Sequence, residues 1–377
     1  MNATKRLAVI VGEPSGDRLA ADLVDALRRR SGRDLSFFGV AGPEMQRQGV
    51  VSAFPVGDLA VMGFLDVARA LPRLSSRLNR LARGLLDWRP DIVITVDSPD
   101  FCLRLQRRLA TLGCPRLHYV APKAWAWRPG RTKRLVRDID HVLALFPFES
   151  GFFGQFGVNC SFVGHPALDR ARQHHGERLD TGGQRAICLL PGSRRSEIPR
   201  HLPLMVEAAE ALRLQIPGLR VLVPVVDDTR DEVARLLPGA DPAYRLVSGA
   251  CERWSAFAAA DMAISKLGTA CLELALADCP FVSIYRTDAA SAAIAGWLIS
   301  SRQFALPNIL LDRPLVPELI QNDLDGSSLT RAAFGLWFDD AERQRQREGF
   351  SELRALMDPG DGLTAAERAA DLVLSHL

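Results

Sequence analysis

The stretch Ile187-Cys-Leu-Leu-Pro-Gly-Ser-Arg-Arg-Ser-Glu197 governs how the rest of the chain is read. An apolar run stops at Pro191 and Gly192. Ser193, Arg194 and Arg195 then precede Glu197 and a helix-like segment. A buried strand running into Gly-Ser-Arg at a helix start gathers backbone N–H groups, a hydroxyl and a guanidinium, which together suit a diphosphate. A second junction of this kind, Val11-Gly-Glu-Pro-Ser-Gly-Asp17, follows the apolar run Leu7-Ala-Val-Ile10. The two junctions lie in a chain of 377 residues, a length that favours two domains.

Outward from each junction, short apolar runs alternate with helix-like segments. In the first half the runs fall at 7–11, 37–40, 92–96, 117–120 and 142–146, and the helices at 17–30, 43–49, 101–112, 130–137 and 149–156. The pattern pauses at Val163-Gly-His-Pro166 and across the polar stretch 170–184. It resumes with runs at 187–190, 221–225, 244–247, 263–265 and 281–285, and helices at 200–215, 229–236 and 269–277. Strands without apolar–polar alternation, separated by helices, indicate parallel sheets covered on both faces. The fold class expected is therefore α/β, with two doubly wound domains at 1–168 and 169–350. The remaining residues, 351–377, are expected to form helices that pack back on the first domain.

Composition agrees with an ample core, at 47% hydrophobic and 24% charged residues. Seven scattered cysteines contain no Cys-x-x-Cys pair, so reduced, non-ligating thiols in a cytoplasmic protein are expected. The start of the chain shows no signal-peptide pattern, and no apolar stretch reaches membrane-spanning length. The net charge of +3 conceals an asymmetry, since residues 69–137 carry sixteen Lys/Arg against four Asp. A basic zone confined to one half suggests an anionic surface or ligand facing it. Within it, Phe64, Val67, Leu71, Leu74, Leu78, Leu81 and Leu85 fall at helical spacing, with arginines on other faces. Pro72 is expected to break this helix or to start a new one. By pattern alone the stretch fits an ordinary helix with solvated arginines. Nucleic acid is not an expected partner, because these arginines lack interleaved aromatic stacking positions.

Several chemistries lack their signatures. The histidines show no metal-ligand spacing, no Gly-x-Ser-x-Gly elbow occurs, and Walker A and Gly-x-Gly-x-x-Gly patterns are missing. Candidate residues sit instead at the carboxyl ends of expected strands, where open α/β sheets hold ligands. Asp97-Ser-Pro-Asp100 follows one strand. Asp100 fits a helix cap, while Asp97 is placed to act as a general base. Beyond the next strand, Trp125 and Trp127 flank a proline-bounded loop and read as pocket walls or as core. Ser265-Lys-Leu-Gly-Thr-Ala-Cys-Leu-Glu273 is a further strand-to-helix junction. There Gly268 permits close approach and Thr269 can cap, while Glu273 suits either the helix dipole or a ribose cis-diol. Turn chemistry accounts for Asn308 as well as ligand binding does.

Taken in order, these motifs resemble the lipid-A-disaccharide synthases, two-domain glycosyltransferases of the GT-B architecture, in which Rossmann-like domains face across a cleft. The resemblance is carried by residues 12–17, 39–45, 59–63, 97–101, 118–128, 146–149, 164–166, 190–194, 268–273 and 306–310. It implies transfer of 2,3-diacylglucosamine from UDP-2,3-diacylglucosamine to 2,3-diacylglucosamine 1-phosphate, with inversion, and with neither metal nor cofactor. It implies Asp97 as the base and Arg194 as a stabiliser of the leaving diphosphate. Gly192, Ser193, Arg194, Gly268, Thr269, Glu273 and Asn308 would bind the UDP-sugar. Ser15, Gly16, Asp17, Asp100 and Trp125 would lie on the acceptor side. Acyl substrates give the basic apolar stretch a second reading, contact of 60–85 with the anionic inner face of the inner membrane. A homodimer is among the assemblies allowed. The chain departs from the family pattern at Pro14, which replaces Ala, and at Lys266 and Leu267, which replace Ala-Ser. A paralogue acting on another UDP-sugar, or a non-catalytic binding relative, is the alternative.

Overall fold

Each apolar run at a diphosphate-like junction becomes an inner strand of its own parallel sheet. The computed structural model describes residues 4–13, 15–59, 64–122, 137–239, 241–288 and 303–377, with backbone only at 15 and 64–71. The chain divides into two compact units, Met1–Pro166 with Pro359–Leu377, and Ala167–Asp358.

The first unit runs β1 (Lys5–Val11), α1 (Ser15–Arg30), β2 (Leu35–Val40), α2 (Pro43–Arg47), β3 (Val51–Ser52), α3 (Phe64–Trp88), β4 (Ile92–Val96), α4 (Pro99–Arg108), β5 (Arg116–Tyr119), β6 (His141–Ala144), α5 (Pro147–Gly154) and β7 (Cys160–Phe162). Its strands lie in the order β3-β2-β1-β4-β5-β6-β7 and every pair is parallel. Sheet growth reverses between β1 and β4, which opens a crevice at their carboxyl ends. All five residues of β4 are buried, as a strand covered on both faces requires.

The second unit follows with α6 (Pro166–Gln173), β8 (Ala186–Leu190), α7 (Ile198–Gln215), β9 (Arg220–Val225), α8 (Arg230–Leu236), β10 (Tyr244–Ser248), α9 (Ala250–Ala259), β11 (Met262–Lys266), α10 (Thr269–Leu276), β12 (Phe281–Tyr285), α11 (Leu306–Leu311), β13 (Glu318–Ile320), α12 (Gly326–Phe338) and α13 (Asp340–Met357). The order β10-β9-β8-β11-β12-β13 is again wholly parallel, with its reversal between β8 and β11. Ile187, Leu189, Leu202, Met205, Val221, Ile264 and Trp337 belong to one buried core.

The last helix, α14 (Ala365–Leu374), rejoins the first unit. Thr364 accepts from the Glu367 amide while the Glu367 carboxylate accepts from the Thr364 amide, a reciprocal cap that fixes where α14 starts. Arg30 of α1 donates to both Asp371 oxygens at 2.5 and 2.6 Å, and Arg368 donates to the Val163 carbonyl at 2.8 Å. The returning segment is shorter than the expected 351–377. Residues 351–357 complete α13, whose Phe350, Leu353 and Met357 are buried, with Phe350 stacked on Phe281 at 5.9 Å.

Two helices differ from expectation. Pro72 does not interrupt α3, which runs unbroken from Phe64 to Trp88. Pro72 is exposed, and on that side a carbonyl left without its intrahelical donor can take water instead. The segment expected as helix 101–112 is α4 followed by a separate 3-10 turn at Ala110–Leu112, ended by left-handed Gly113.

Candidate active site

In the first unit, two glycines let the β1–α1 and β4–α4 junctions meet. A Cβ on Gly12 would stand 2.2 Å from the Ser98 Cβ, so no larger residue fits. A Cβ on Gly16 would lie 3.7 Å from the Asp97 Cβ, which places the start of α1 beside that aspartate. Asp97 and Ser98 are both left-handed, with φ of 57° and 42°. Val120, just past β5, has φ of 76°, a rare state for a β-branched residue. Such residues cost on the order of 1–3 kcal/mol each and persist where a site demands their geometry. The Asp97 amide donates to the Tyr119 carbonyl at 3.0 Å, and its Oδ1 accepts from the Ser98 amide at 2.8 Å. The half-buried Asp97 carboxylate is thus held at the sheet's carboxyl edge. Burial first, then the Asp97 charge and more weakly Glu13, push the Cys102 thiol up, so a second carboxylate lies in the same neighbourhood.

The remaining residues expected on the acceptor side are placed differently. Asp17 is buried and accepts from the amides of Gly42 (2.9 Å), Glu44 (2.8 Å) and Met45 (3.2 Å). Its two oxygens clamp α1 to the start of α2, so this carboxylate serves the junction rather than an open surface. Ser15 opens α1. Asp100 is exposed in the first turn of α4, where the capping position belongs to Ser98, which makes no side-chain cap bond. Trp125 lies outside the described residues.

In the second unit, Glu197 is the hub. The polypeptide leaves β8 through Pro191 and Gly192, and α7 does not start until Ile198. Ser193 and Arg194 therefore sit in the loop before the helix, which starts two residues earlier than the expected 200–215. Both are exposed. Gly192 has φ of 114°, and a Cβ there would meet Glu197 Oε2 at 2.5 Å, so glycine serves both the turn and the carboxylate beneath it. Glu197 Oε1 takes Arg194 at 3.3 Å and Lys266 at 2.9 Å, which ties the loop after β8 to the last residue of β11. Lys266 also stands 5.3 Å from the centroid of the Tyr285 ring. Gly268 and Thr269 are exposed at the start of α10. Around a Cβ on Gly268, chain neighbours aside, only the Lys266 ammonium among the described residues would come within 4.0 Å.

His201 supports the hub from below. Its Nε2 accepts from the Arg286 amide at 2.9 Å, so the proton resides on Nδ1, which donates to the Glu197 carbonyl at 2.8 Å. Burial holds this imidazole below its ordinary pKa and hence neutral. Glu273 projects from α10 and is mostly buried. Its Oε1 meets Arg253 at 3.0 Å and Arg170 at 3.8 Å, while Oε2 makes no hydrogen bond among the described residues. Burial raises its pKa, and the two arginines oppose that shift. Asn308 is fully engaged: Nδ2 donates to the Val316 carbonyl and Glu318, and Oδ1 accepts from the Leu315 and Val316 amides. Asn308 thus secures the 303–318 loop and has no polar valence left for a ligand.

The family model described as lipid-A-disaccharide synthetase matches residues 7–368. The chain belongs to the lipid-A-disaccharide synthase family. The synthase of Rhodospirillum centenum is 40% identical, with 97% of this chain and 93% of that protein covered. That of Myxococcus xanthus is 36% identical, with 100% and 99% covered. The activity of the chain is that of a glycosyltransferase forming the lipid A disaccharide. Solved structures with the same two-domain fold include a UDP-GlcNAc 2-epimerase from Neisseria meningitidis bound to UDP-GlcNAc, with TM-score 0.64, 11% identity and 99% and 100% of the chains covered. The S. aureus MnaA–UDP structure gives TM-score 0.65 at 13% identity, with 98% and 96% covered. The GT-B class expected from the motifs is the observed fold. In this family member the sequence motifs marked the junctions but not all their partners. Arg170 and Arg253, which hold Glu273, come from α6 and α9 and carried no local signal. Glu197 stood inside the opening stretch, yet nothing local showed it as the residue joining two junctions. No described helix is long and apolar enough to cross a membrane.

Proposed function

We propose that the second unit binds UDP-2,3-diacylglucosamine and that the first unit binds 2,3-diacylglucosamine 1-phosphate and supplies the base. The observation that carries the reading is the exposed Arg194 in the loop after β8, joined through Glu197 to Lys266 beside the open Gly268–Thr269 turn at the sheet's reversal point. Gly192, Ser193 and Arg194 then face the diphosphate, which the guanidinium can take by two N–H groups at once. The free Oε2 of Glu273 would accept from the ribose hydroxyls, its other oxygen being fixed by Arg253 and Arg170. Asn308 acts at one remove, by holding the 303–318 loop.

Asp97 takes the proton from the acceptor's 6-hydroxyl as that oxygen attacks the sugar's anomeric carbon. The bond from carbon to diphosphate oxygen breaks on the opposite face. Its electron pair leaves with UDP, and the new linkage is β-1,6. Negative charge grows on the departing diphosphate, where fixed donors act without reorganising. No metal is required in this scheme. Acyl chains on both substrates place the protein at the cytoplasmic surface of the inner membrane, with α3 as the contact. The test supplies both lipid substrates to the purified protein and reads the product by mass spectrometry. UDP release should be equal with magnesium and with EDTA. An absolute metal requirement, or a product lacking four acyl chains, overturns the scheme.

A further inference from the structure

At the second unit's reversal point a single carboxylate oxygen serves two cations. Glu197 Oε1 accepts Lys266 at 2.9 Å and Arg194 at 3.3 Å, while Oε2 lies beneath Gly192. The Lys266 and Glu197 side chains are only 15% and 12% exposed, whereas Arg194 is 58% exposed. A surface pair this covered interacts strongly but loses hydration, so it is retained only where its geometry is good. Here one anion is shared between two cations, which leaves a net positive charge at the mouth of the junction.

The lysine also sits where a purely structural partner of Glu197 would not need to be. Its ammonium is 4.0 Å from the position of a Gly268 Cβ and, chain neighbours aside, is the only group of the described residues that near, so it stands at the rim of the open turn. Unlike a guanidinium, an ammonium on a four-carbon stem can swing from one anion to another without matching a fixed fork.

We propose that Lys266 is a second diphosphate-binding cation beside Arg194, and that Glu197 holds both cations until the diphosphate of the nucleotide sugar takes its place. The inference rests on the donor reading above. Glu197 is then a resident anion that pre-positions Arg194 and Lys266. It also keeps the empty junction from carrying two uncompensated charges, and it competes with the nucleotide for both. On product release it recaptures them, which favours UDP leaving.

This arrangement makes opposite-signed predictions that a structural ion pair does not. Titration calorimetry on the full-length protein would use UDP and uridine as probes at one fixed salt concentration. Lys266→Met should weaken UDP about tenfold or more, equivalent to about 1.4 kcal/mol, and leave uridine unchanged. Lys266→Arg should stay within about threefold of the parent, and Glu197→Gln should tighten UDP severalfold. If Lys266→Met does not fold, the Glu197→Gln, Lys266→Met double variant, which buries no unpaired charge, is compared with Glu197→Gln alone and should show the same loss. UDP binding within twofold of the parent in Lys266→Met overturns the proposal, as does weakening by both single variants. Arg194→Ala separates the levels: if it loses UDP while Lys266→Met does not, only this inference fails. If neither variant changes UDP binding, or the parent binds no UDP, the donor reading fails with it.

Discussion

At the residue scale, Asp97 and Asp17 show how neighbouring carboxylates on one sheet edge come to different uses. Asp97 follows β4 in a left-handed turn with one oxygen on the Ser98 amide, leaving the carboxylate half-buried at an open edge. Asp17 is enclosed and takes three backbone amides. Substituting each should therefore move a different observable. Asp97→Asn keeps the shape and removes the proposed base, so kcat should fall by about 10²–10⁴, with UDP affinity and melting temperature close to the parent's. Retention of more than a tenth of the rate sinks the assignment of the base. Asp17→Ala strands buried amide donors at a cost on the order of 1–3 kcal/mol for an unsatisfied group. Urea denaturation should show a loss of at least about 2 kcal/mol, and an unchanged midpoint would show that the clamp is dispensable. Swapped outcomes, with Asp97→Asn unfolding the protein and Asp17→Ala only inactivating it, would reverse the two roles.

At the element scale, a buried polar layer links β4, β5 and α4. Thr95 Oγ1 contacts His118 Nδ1 at 2.8 Å, Gln106 donates to Thr95 at 3.0 Å and to the Leu117 carbonyl at 2.9 Å, and His118 Nε2 is buried without a hydrogen-bond partner among the described residues. Burial lowers the His118 pKa to about 4 from its ordinary 6.5. The unfolded chain therefore binds this proton first, and stability is complete above pH 6.5 and lost as pH falls from 6.5 toward 4. Between pH 6.5 and 5, before most carboxylates titrate, the loss should be about 2 kcal/mol at 1.36 kcal/mol per unit. Urea midpoints of the parent and His118→Phe across that window check this; equal slopes would remove His118 as the cause. His201 shifts in the same direction and gives both proteins a common background. This layer also shows what a sequence reveals and what it conceals. Strands such as Ile92–Val96 and Ala186–Leu190 were legible because burial on both faces requires an unbroken apolar run. The junctions were legible through glycine, proline and strand ends. Partnerships such as Thr95 with His118, Asp17 with Gly42, or Glu197 with Lys266 were not, because they join residues some 20 to 70 positions apart that only the sheet order brings together.

At the scale of the whole molecule, charge is divided between the units. The first, with its returning segment, holds 25 Lys/Arg against 18 Asp/Glu, a net +7, and the second holds 22 against 26, a net −4. Such a division favours binding to an anionic surface through the first unit, and α3 is the element that joins basic with apolar residues. Its arginines are not equivalent. Arg77 pairs with Asp58 at 2.6 Å and lies over Phe54, and Arg73 donates to the Asp58 carbonyl at 3.1 Å, so both anchor the helix to its own unit. Arg80 and Arg83 are exposed and form no ion pair with the described residues. On the apolar side, Leu78, Leu81, Ala82 and Leu85 are buried against the unit itself and are not available to lipid. Electrostatic attraction through Arg80 and Arg83 should then carry the second half of α3, at about 1 kcal/mol per basic residue near an anionic leaflet. Vesicle flotation should recover the protein with phosphatidylglycerol-containing liposomes and much less with phosphatidylcholine alone. Raising salt to about 1 M, where the Debye length falls to about 3 Å, should release it. Charge reversal at Arg80 and Arg83 together should lower vesicle affinity at least tenfold with an unchanged melting temperature, whereas Arg77→Glu should lower the melting temperature by opposing Asp58. Vesicle binding that ignores both salt and the Arg80 and Arg83 reversal would move the contact off this face of α3 and onto an apolar insertion elsewhere in the first unit.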